Sequence, residues 1–267
     1  MKKIRTLHYA GLLLAILSFS SCSDDGGINV FPLSKDIELG EQLKAQIAAD
    51  PATYPLVSST TYSTAYTHIN RIKDAILNTG LLKHKDDFAW EVYLIHNDTV
   101  LNAFACPGGY IYVYTGIIKY LDNEAQLAGV LAHEMAHVDR RHSTDQLTKA
   151  YGIQGLISIV LGKDASDMEI MLGQIAGGLT ALKFSRNAEY EADNYAVQYM
   201  YKTDYHAPAL GDFFVKMGLH SGTPAFLSTH PDPGNRVQAI NDEWESLGGK
   251  NGETFVERYG QFKASLP

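Results

Sequence analysis

The chain is poor in cysteine. Cys22 and Cys106 are the only two among 267 residues, so a scaffold stapled by several disulfides is excluded. Basic charge is also short, with 22 Lys and Arg against 30 Asp and Glu and a formal net charge of −8. Phosphate backbones are bound by basic surfaces, so this balance argues against nucleic acid as a partner. No apolar run approaches the roughly 20 residues that span a bilayer as a helix. Internal repeats and low-complexity blocks are missing too, so nothing suggests a solenoid or an array.

What is present begins with a leader. Lys2, Lys3 and Arg5 form a positive start, an apolar run covers 7–19, and Ser20-Ser21 precede Cys22. That run is too short to cross a bilayer and fits the core of a signal peptide. Small residues directly before a cysteine resemble a lipoprotein signal, which implies cleavage before Cys22 and acylation of its thiol. Loss of the leader takes three basic residues with it, from −8 to −11. Cys106 is then left without a disulfide partner and reads as a small buried hydrophobe. The expected organisation is a signal peptide over 1–21, a flexible tether over 22–34 and a single domain over 35–267. The acidic pair Asp24-Asp25 after Cys22 reads equally as a solvated linker or as a surface-export tag. The expected location is the outer membrane, held by lipid on its periplasmic side, with the cell surface as the alternative.

Apolar residues at helical spacing predict helices over 35–49 and 65–77, the second stopped by Asn78-Thr79-Gly80. Strand formers predict β-strands at 89–95, 101–106 and 110–114, with Pro107-Gly108-Gly109 turning the chain between the last two. From Asn123 onward the pattern is mainly helical. Two apolar stretches, 151–162 and 171–182, read as a buried helical hairpin, or more sharply as a flap near the active site or the membrane.

Three segments carry chemistry. His133-Glu134-Met135-Ala136-His137 places two histidines on one helical face, where both can ligate one zinc ion. Glu134 lies beside the metal without ligating it, so it can take a proton from a zinc-bound water and pass it to a leaving amine. Catalytic zinc takes a third protein ligand. Glu189 supplies it from a second helix, and Asp193, one turn on, can fix the tautomer of a ligand histidine. Glu191 points to another face and reads as a solvated carboxylate. The third segment, Asn102-Ala103-Phe104, lies on a strand that can pair as an edge with an extended peptide substrate.

Asn102-Ala103-Phe104 with Pro107-Gly108-Gly109, the His133 to His137 motif, Glu189 with Asp193, and Ser228-Thr229-His230-Pro231 followed by Arg236 occur in that order. Together they resemble the gluzincin family of the HtpX heat-shock peptidase and the CaaX prenyl proteases. The resemblance implies an α+β fold: a mainly helical zincin-type metallopeptidase domain with a small sheet whose edge strand binds substrate. The long transmembrane helices of the HtpX and prenyl-protease branches have no counterpart here. The nearest likeness is therefore to small soluble envelope lipoproteins related to BepA and LoiP, which implies turnover of unfolded or misassembled envelope proteins. A zinc-bound holdase or assembly factor is the alternative, although a binding module has no need of a base at Glu134. His230 is expected on a loop near zinc. It either fills the open coordination position and holds the enzyme off, or donates to the oxyanion in the transition state. Arg236 is expected to pair with Glu189 or Asp193.

The leader generates a direct test. A lipoprotein carries several acyl chains, and two or more anchor stably where one binds only marginally. Cys22→Ser is expected to release the protein from membranes or to block its processing. An unmodified cysteine in the mass spectrum of the mature N-terminus rules the anchor out.

Overall fold

A computed structural model describes residues 21–22, 28–29, 31–146, 148–149, 183–218, 224–231 and 234–267. The two apolar stretches at 151–162 and 171–182 lie outside the described residues. Strands β1 (Ser21–Cys22) and β2 (Ile28–Asn29) form a short antiparallel pair. Helix α1 (Leu33–Ala49) follows, then α2 (Ser63–Leu77), β3 (Glu91–Ile95), β4 (Ala103–Cys106) and β5 (Tyr110–Tyr114). The remainder is helical: α3 (Thr115–Tyr120), α4 (Glu124–Asp139), α5 (Arg186–Tyr201), α6 (Ala209–Gly218), α7 (Ala225–Thr229), α8 (Arg236–Ser246) and α9 (Val256–Ala264). Both expected helices form, each starting two residues earlier. Residues 31–34 are therefore less of a tether than expected, because Phe31 is buried and α1 begins at Leu33. No described helix is long and apolar enough to cross a membrane.

The sheet has the order β3-β5-β4, with β3 parallel and β4 antiparallel to β5. This places β4 at an edge, as the sequence predicts. Side chains alternate across a strand, and β5 uses both faces. Ile111 and Val113 join the main core with α4, while Tyr110, Tyr112 and Tyr114 join a second cluster with Leu39, Leu43 and Ile47 of α1. The sheet is thus sandwiched between α1 and the helical body. Cys106 falls in the second cluster, fully buried, and burial pushes its thiol pKa up.

Helix α4 is the axis of the body, and every one of its residues is buried. The Asn123 side chain caps it by accepting from Gln126 N at 3.0 Å, which satisfies one of the free N–H groups of its first turn. Glu124, in that turn, receives Arg71 and Arg258, each at 2.5 Å, and the Tyr205 hydroxyl at 2.6 Å. At the far end, Asp139 accepts from Tyr199 Oη at 2.9 Å and from His84 N at 2.7 Å. Just beyond it, Arg141 and Thr144 bind Asp36 of α1 at 2.5 and 2.9 Å. Both ends of the helix are therefore pinned by buried charge.

Backbones meet where α1 crosses the Pro107–Gly109 turn. A Cβ on Gly40 would lie 2.1 Å from the Pro107 carbonyl oxygen. Alanine in a helix interior gains up to about 1 kcal/mol over glycine. Forcing two backbones apart costs about 1–3 kcal/mol or more, so the clash dominates. Gly40→Ala is expected to lower the urea unfolding midpoint, whereas helix propensity alone raises it.

Candidate metal centre

Two helices and one short loop build the centre. Helix α4 carries His133, Glu134 and His137. Helix α5, capped by Ser185 Oγ accepting from Ala188 N at 3.2 Å, carries Glu189, Glu191 and Asp193. His230 follows the last turn of α7. His133, His137, Glu189 and His230 each offer one donor atom, all within 4.8 Å of one another and all buried. His133 Nε2 lies 3.0 Å from His137 Nε2 and 3.2 Å from His230 Nδ1. Glu189 Oε1 lies 3.1 Å from His230 Nδ1 and 3.6 Å from His137 Nε2, and Glu189 Oε2 lies 3.5 Å from His133 Nε2. Bonds of about 2.0–2.1 Å to a tetrahedral zinc ion imply donor–donor spacings of roughly 3.3–3.5 Å. The observed spacings bracket that range.

The chemistry of the donors agrees. His133 Nδ1 lies 2.9 Å from Asp193 Oδ1. Donation of the Nδ1 proton to that carboxylate leaves the Nε2 lone pair facing the other donors, which is the arrangement a metal-binding histidine needs. Burial opposes charge on His133, yet its bonds to Asp193 and Glu189 prevail and raise its pKa to about 9, so the environment favours positive charge there. Burial and the neighbouring His133 hold His137 well below its usual value, as a neutral imidazole. Glu189 stays ionised, well below the usual carboxylate range, because His230 and His133 outweigh its burial. The residues present fit a divalent ion.

Arg236 closes the charge balance. Its guanidinium lies over the Phe214 ring at 4.0 Å. It donates to Asp193 from Nε at 2.6 Å and from Nη2 at 2.7 Å, and pairs with Glu189 Oε2 from Nη1 at 2.9 Å. The sequence leaves open which carboxylate it serves; it serves both. It also holds Asp193 in its ionised form against the effect of burial.

Glu134 stands outside the donor set. It is buried, and its Oε1 has no hydrogen-bond partner among the described residues, although it lies 3.3 Å from His230 Nε2. Burial raises its pKa above the usual carboxylate value, toward the range in which a carboxyl group can both accept and return a proton.

Residues 61–244 match peptidase family M48, and that span contains all four donors, Glu134, Asp193 and Arg236. The chain belongs to that family. It is 33% identical over 158 residues to the beta-barrel assembly-enhancing protease of Escherichia coli, across 54% of this chain and 32% of the relative. It is 32% identical to the mitochondrial metalloendopeptidase OMA1 of Schizosaccharomyces pombe, across 59% and 47%. It is 31% identical to the metalloprotease YcaL of Escherichia coli, across 56% and 61%. The chain thus spans between about a third and three-fifths of these relatives. The family and the mainly helical fold with its three-stranded mixed sheet place the chain among the metalloproteases as a class.

Within this family domain, Ala103 and Phe104 lie on the edge strand, both buried, with Phe104 stacked on Tyr112 at 4.9 Å. Asn102, just before the strand, is fully buried, and neither of its side-chain polar atoms has a partner among the described residues. His230 terminates the five-residue α7, a helix that periodicity cannot reveal at that length. Its ring is stacked between Phe226 at 4.4 Å and Phe184 at 5.5 Å.

The solvated reading of Glu191 is wrong. Its Oε1 accepts from Arg140 Nε at 2.7 Å, and its Oε2 faces His142 Nε2 at 3.4 Å. Position i+2 from Glu189 does point elsewhere on α5, but toward the end of α4 rather than to water. His142 was missed as well. Its Nδ1 lies 2.8 Å from His137 Nδ1, and the only sequence signal is a further histidine five residues after His137.

Removing Arg236 strands two buried carboxylates. Deleting one side of a buried ion pair costs about 3–5 kcal/mol. Arg236→Met is therefore expected to lose stability on that order in urea unfolding. The loss should be larger at pH 7 than at acid pH, since Arg236 depresses the pKa of Asp193, and that stabilisation is present above the unfolded carboxylate value and is lost as pH falls through the depressed one.

Proposed function

We propose that the chain is a zinc-dependent endopeptidase of the bacterial envelope, acting on unfolded or misassembled proteins. The observation that carries this reading is the buried His133, His137 and Glu189 donor set with Glu134 beside it and outside it. Nitrogen and carboxylate donors at tetrahedral spacing favour zinc over hard cations such as magnesium or calcium, which take mainly oxygen ligands. When bound, the metal supplies Lewis-acid activation of a water and of the scissile carbonyl.

The chain's own residues supply the rest. Glu134 takes a proton from the attacking water as oxygen adds to the peptide carbonyl. It returns that proton to the amide nitrogen as the C–N bond breaks, so the products are one carboxylic acid and one amine. An extended substrate adds alongside β4 through main-chain hydrogen bonds. The Asn102 amide, without a partner among the described residues, supports this, because a buried amide with no partner costs about 1–3 kcal/mol and an incoming peptide backbone offers both a donor and an acceptor. For His230, the position of Nδ1 at 3.1–3.2 Å from two other donors supports the role of plug over oxyanion donor.

A relative named for enhancing beta-barrel assembly supports an envelope role. In this proposal the leader and Cys22 add a lipid anchor at the outer membrane.

One experiment separates these roles. Protease assay on casein and metal analysis are run on the wild type and four variants. His133→Ala and Glu189→Ala are expected to lose stoichiometric zinc. Glu134→Gln should keep zinc and lose turnover by about 10²–10⁴-fold, the usual contribution of a positioned base. His230→Ala should raise basal turnover if the residue is a plug and lower it if it is an oxyanion donor. Full activity in Glu134→Gln sinks the mechanism.

A further inference from the structure

The tautomer of His133 has an evident cause in Asp193, whereas that of His137 does not. If His137 ligates through Nε2, its Nδ1 carries the proton, and a buried N–H requires an acceptor. The atom beside it is His142 Nδ1, at 2.8 Å. Two ring nitrogens at that distance share one proton, so His137 must donate it and His142 must accept at Nδ1. His142 is then protonated at Nε2, and that N–H faces Glu191 Oε2 at 3.4 Å. The other oxygen of Glu191 is occupied by Arg140 Nε at 2.7 Å, and Arg140 lies 4.4 Å above the Tyr195 ring. Each contact in this chain allows one direction of donation, and all the directions agree.

We propose that His142 is a positioning residue, which with Glu191 behind it holds His137 as an Nε2 donor to the metal. The inference rests on the reading of His137 as a ligand. It gives α5 a threefold task, with Glu189 as ligand, Asp193 setting His133 directly, and Glu191 setting His137 through the imidazole of His142. His142 lies just beyond the end of α4 at Asp139, and its ring spans from His137 to Glu191. Phe184 stacks on His137 at 4.1 Å and fixes the plane of its ring, but an aromatic face does not select a tautomer.

The test is zinc affinity of the full-length chain, measured by competition with a chromophoric chelator. Partners of this kind are worth about 10- to 100-fold in metal affinity. His142→Leu fills the space without accepting a proton and should weaken zinc binding by that factor. His142→Gln can accept at its oxygen and donate at its nitrogen, and should stay near wild type. In the zinc-loaded wild type, ¹⁵N-histidine NMR should show a scalar coupling between His137 Nδ1 and His142 Nδ1, the signature of a shared proton. Should His142→Leu not fold, Glu191→Gln gives the same readout. Whichever way its amide turns, it sets a donor against Arg140 or against His142, so zinc affinity should fall about tenfold. Wild-type affinity in His142→Leu, or in Glu191→Gln where the first variant is unfolded, overturns the proposal. A wild-type chain that binds no zinc overturns the ligand assignment itself, which is a different and separately visible result.

Discussion

Glu189 and Asp193 occupy successive turns of α5, fully buried, and the guanidinium of Arg236 between them, with the histidines around them, makes that burial tolerable. Isolated buried carboxylates shift their pKa and neutralise, and a neutral Glu189 is a poor ligand. His230 and His133 prevent this at Glu189, and Arg236 prevents it at Asp193, with a planar fork that engages both carboxylates, a geometry that lysine cannot reproduce. It reaches them from α8, so the packing of α8 on α5 and the ionisation of the donor set are one constraint. The rest of the centre follows. Asp193, kept ionised, accepts from His133, and the His133 lone pair then turns toward the other donors.

The same economy of charge fixes α4. A helix buried on all sides cannot be oriented by an apolar stripe, since it has no polar face to exclude. Its rotation is set instead by the groups that grip its ends: Arg71, Arg258 and Tyr205 on Glu124, and Tyr199 and the His84 amide on Asp139. Those contacts aim His133 and His137 at α5. The salt bridge from Arg141 to Asp36 ties the end of this region to α1, whose same buried face, through Leu39, Leu43 and Ile47, covers the tyrosine side of the sheet. The first helix after the expected tether is in this way mechanically joined to the metal helix.

Much of the centre was legible because its chemistry is periodic. His133 and His137, or Glu189 and Asp193, recur at one helical turn, and a helix brings them to one face whatever the fold. The small sheet was legible from strand-forming residues on either side of the Pro107-Gly108-Gly109 turn, although the use of both faces of β5 shows only once α1 is seen packed on its tyrosines. What was not legible depends on two elements meeting. Glu191 reads as a surface residue until α5 is seen to lie against the end of α4, and His142 has no helical phase relating it to His137. Arg236 was recognised as an ion-pair partner, but its double engagement requires the crossing of α5 and α8. The five-residue α7 is too short to carry a period at all.

These supports also bear on which donor can leave. Four protein donors around zinc make a closed set, of the kind found in structural sites, whereas catalysis requires an open position. Three of the four are braced from behind: His133 by Asp193, Glu189 by Arg236, and His137 by His142. Among the described residues, His230 has no comparable brace. Its Nδ1 faces the donors, its Nε2 lies beside Glu134, and behind these contacts its ring is stacked on Phe226 and Phe184. Stacked contacts are worth about 0.5–1.5 kcal/mol beyond burial, less than a charge-assisted hydrogen bond to a buried carboxylate. On the proposed reading, His230 is therefore the ligand that yields when a substrate enters along β4. Its departure would open the fourth position and, in the same movement, uncover Oε1 of the base.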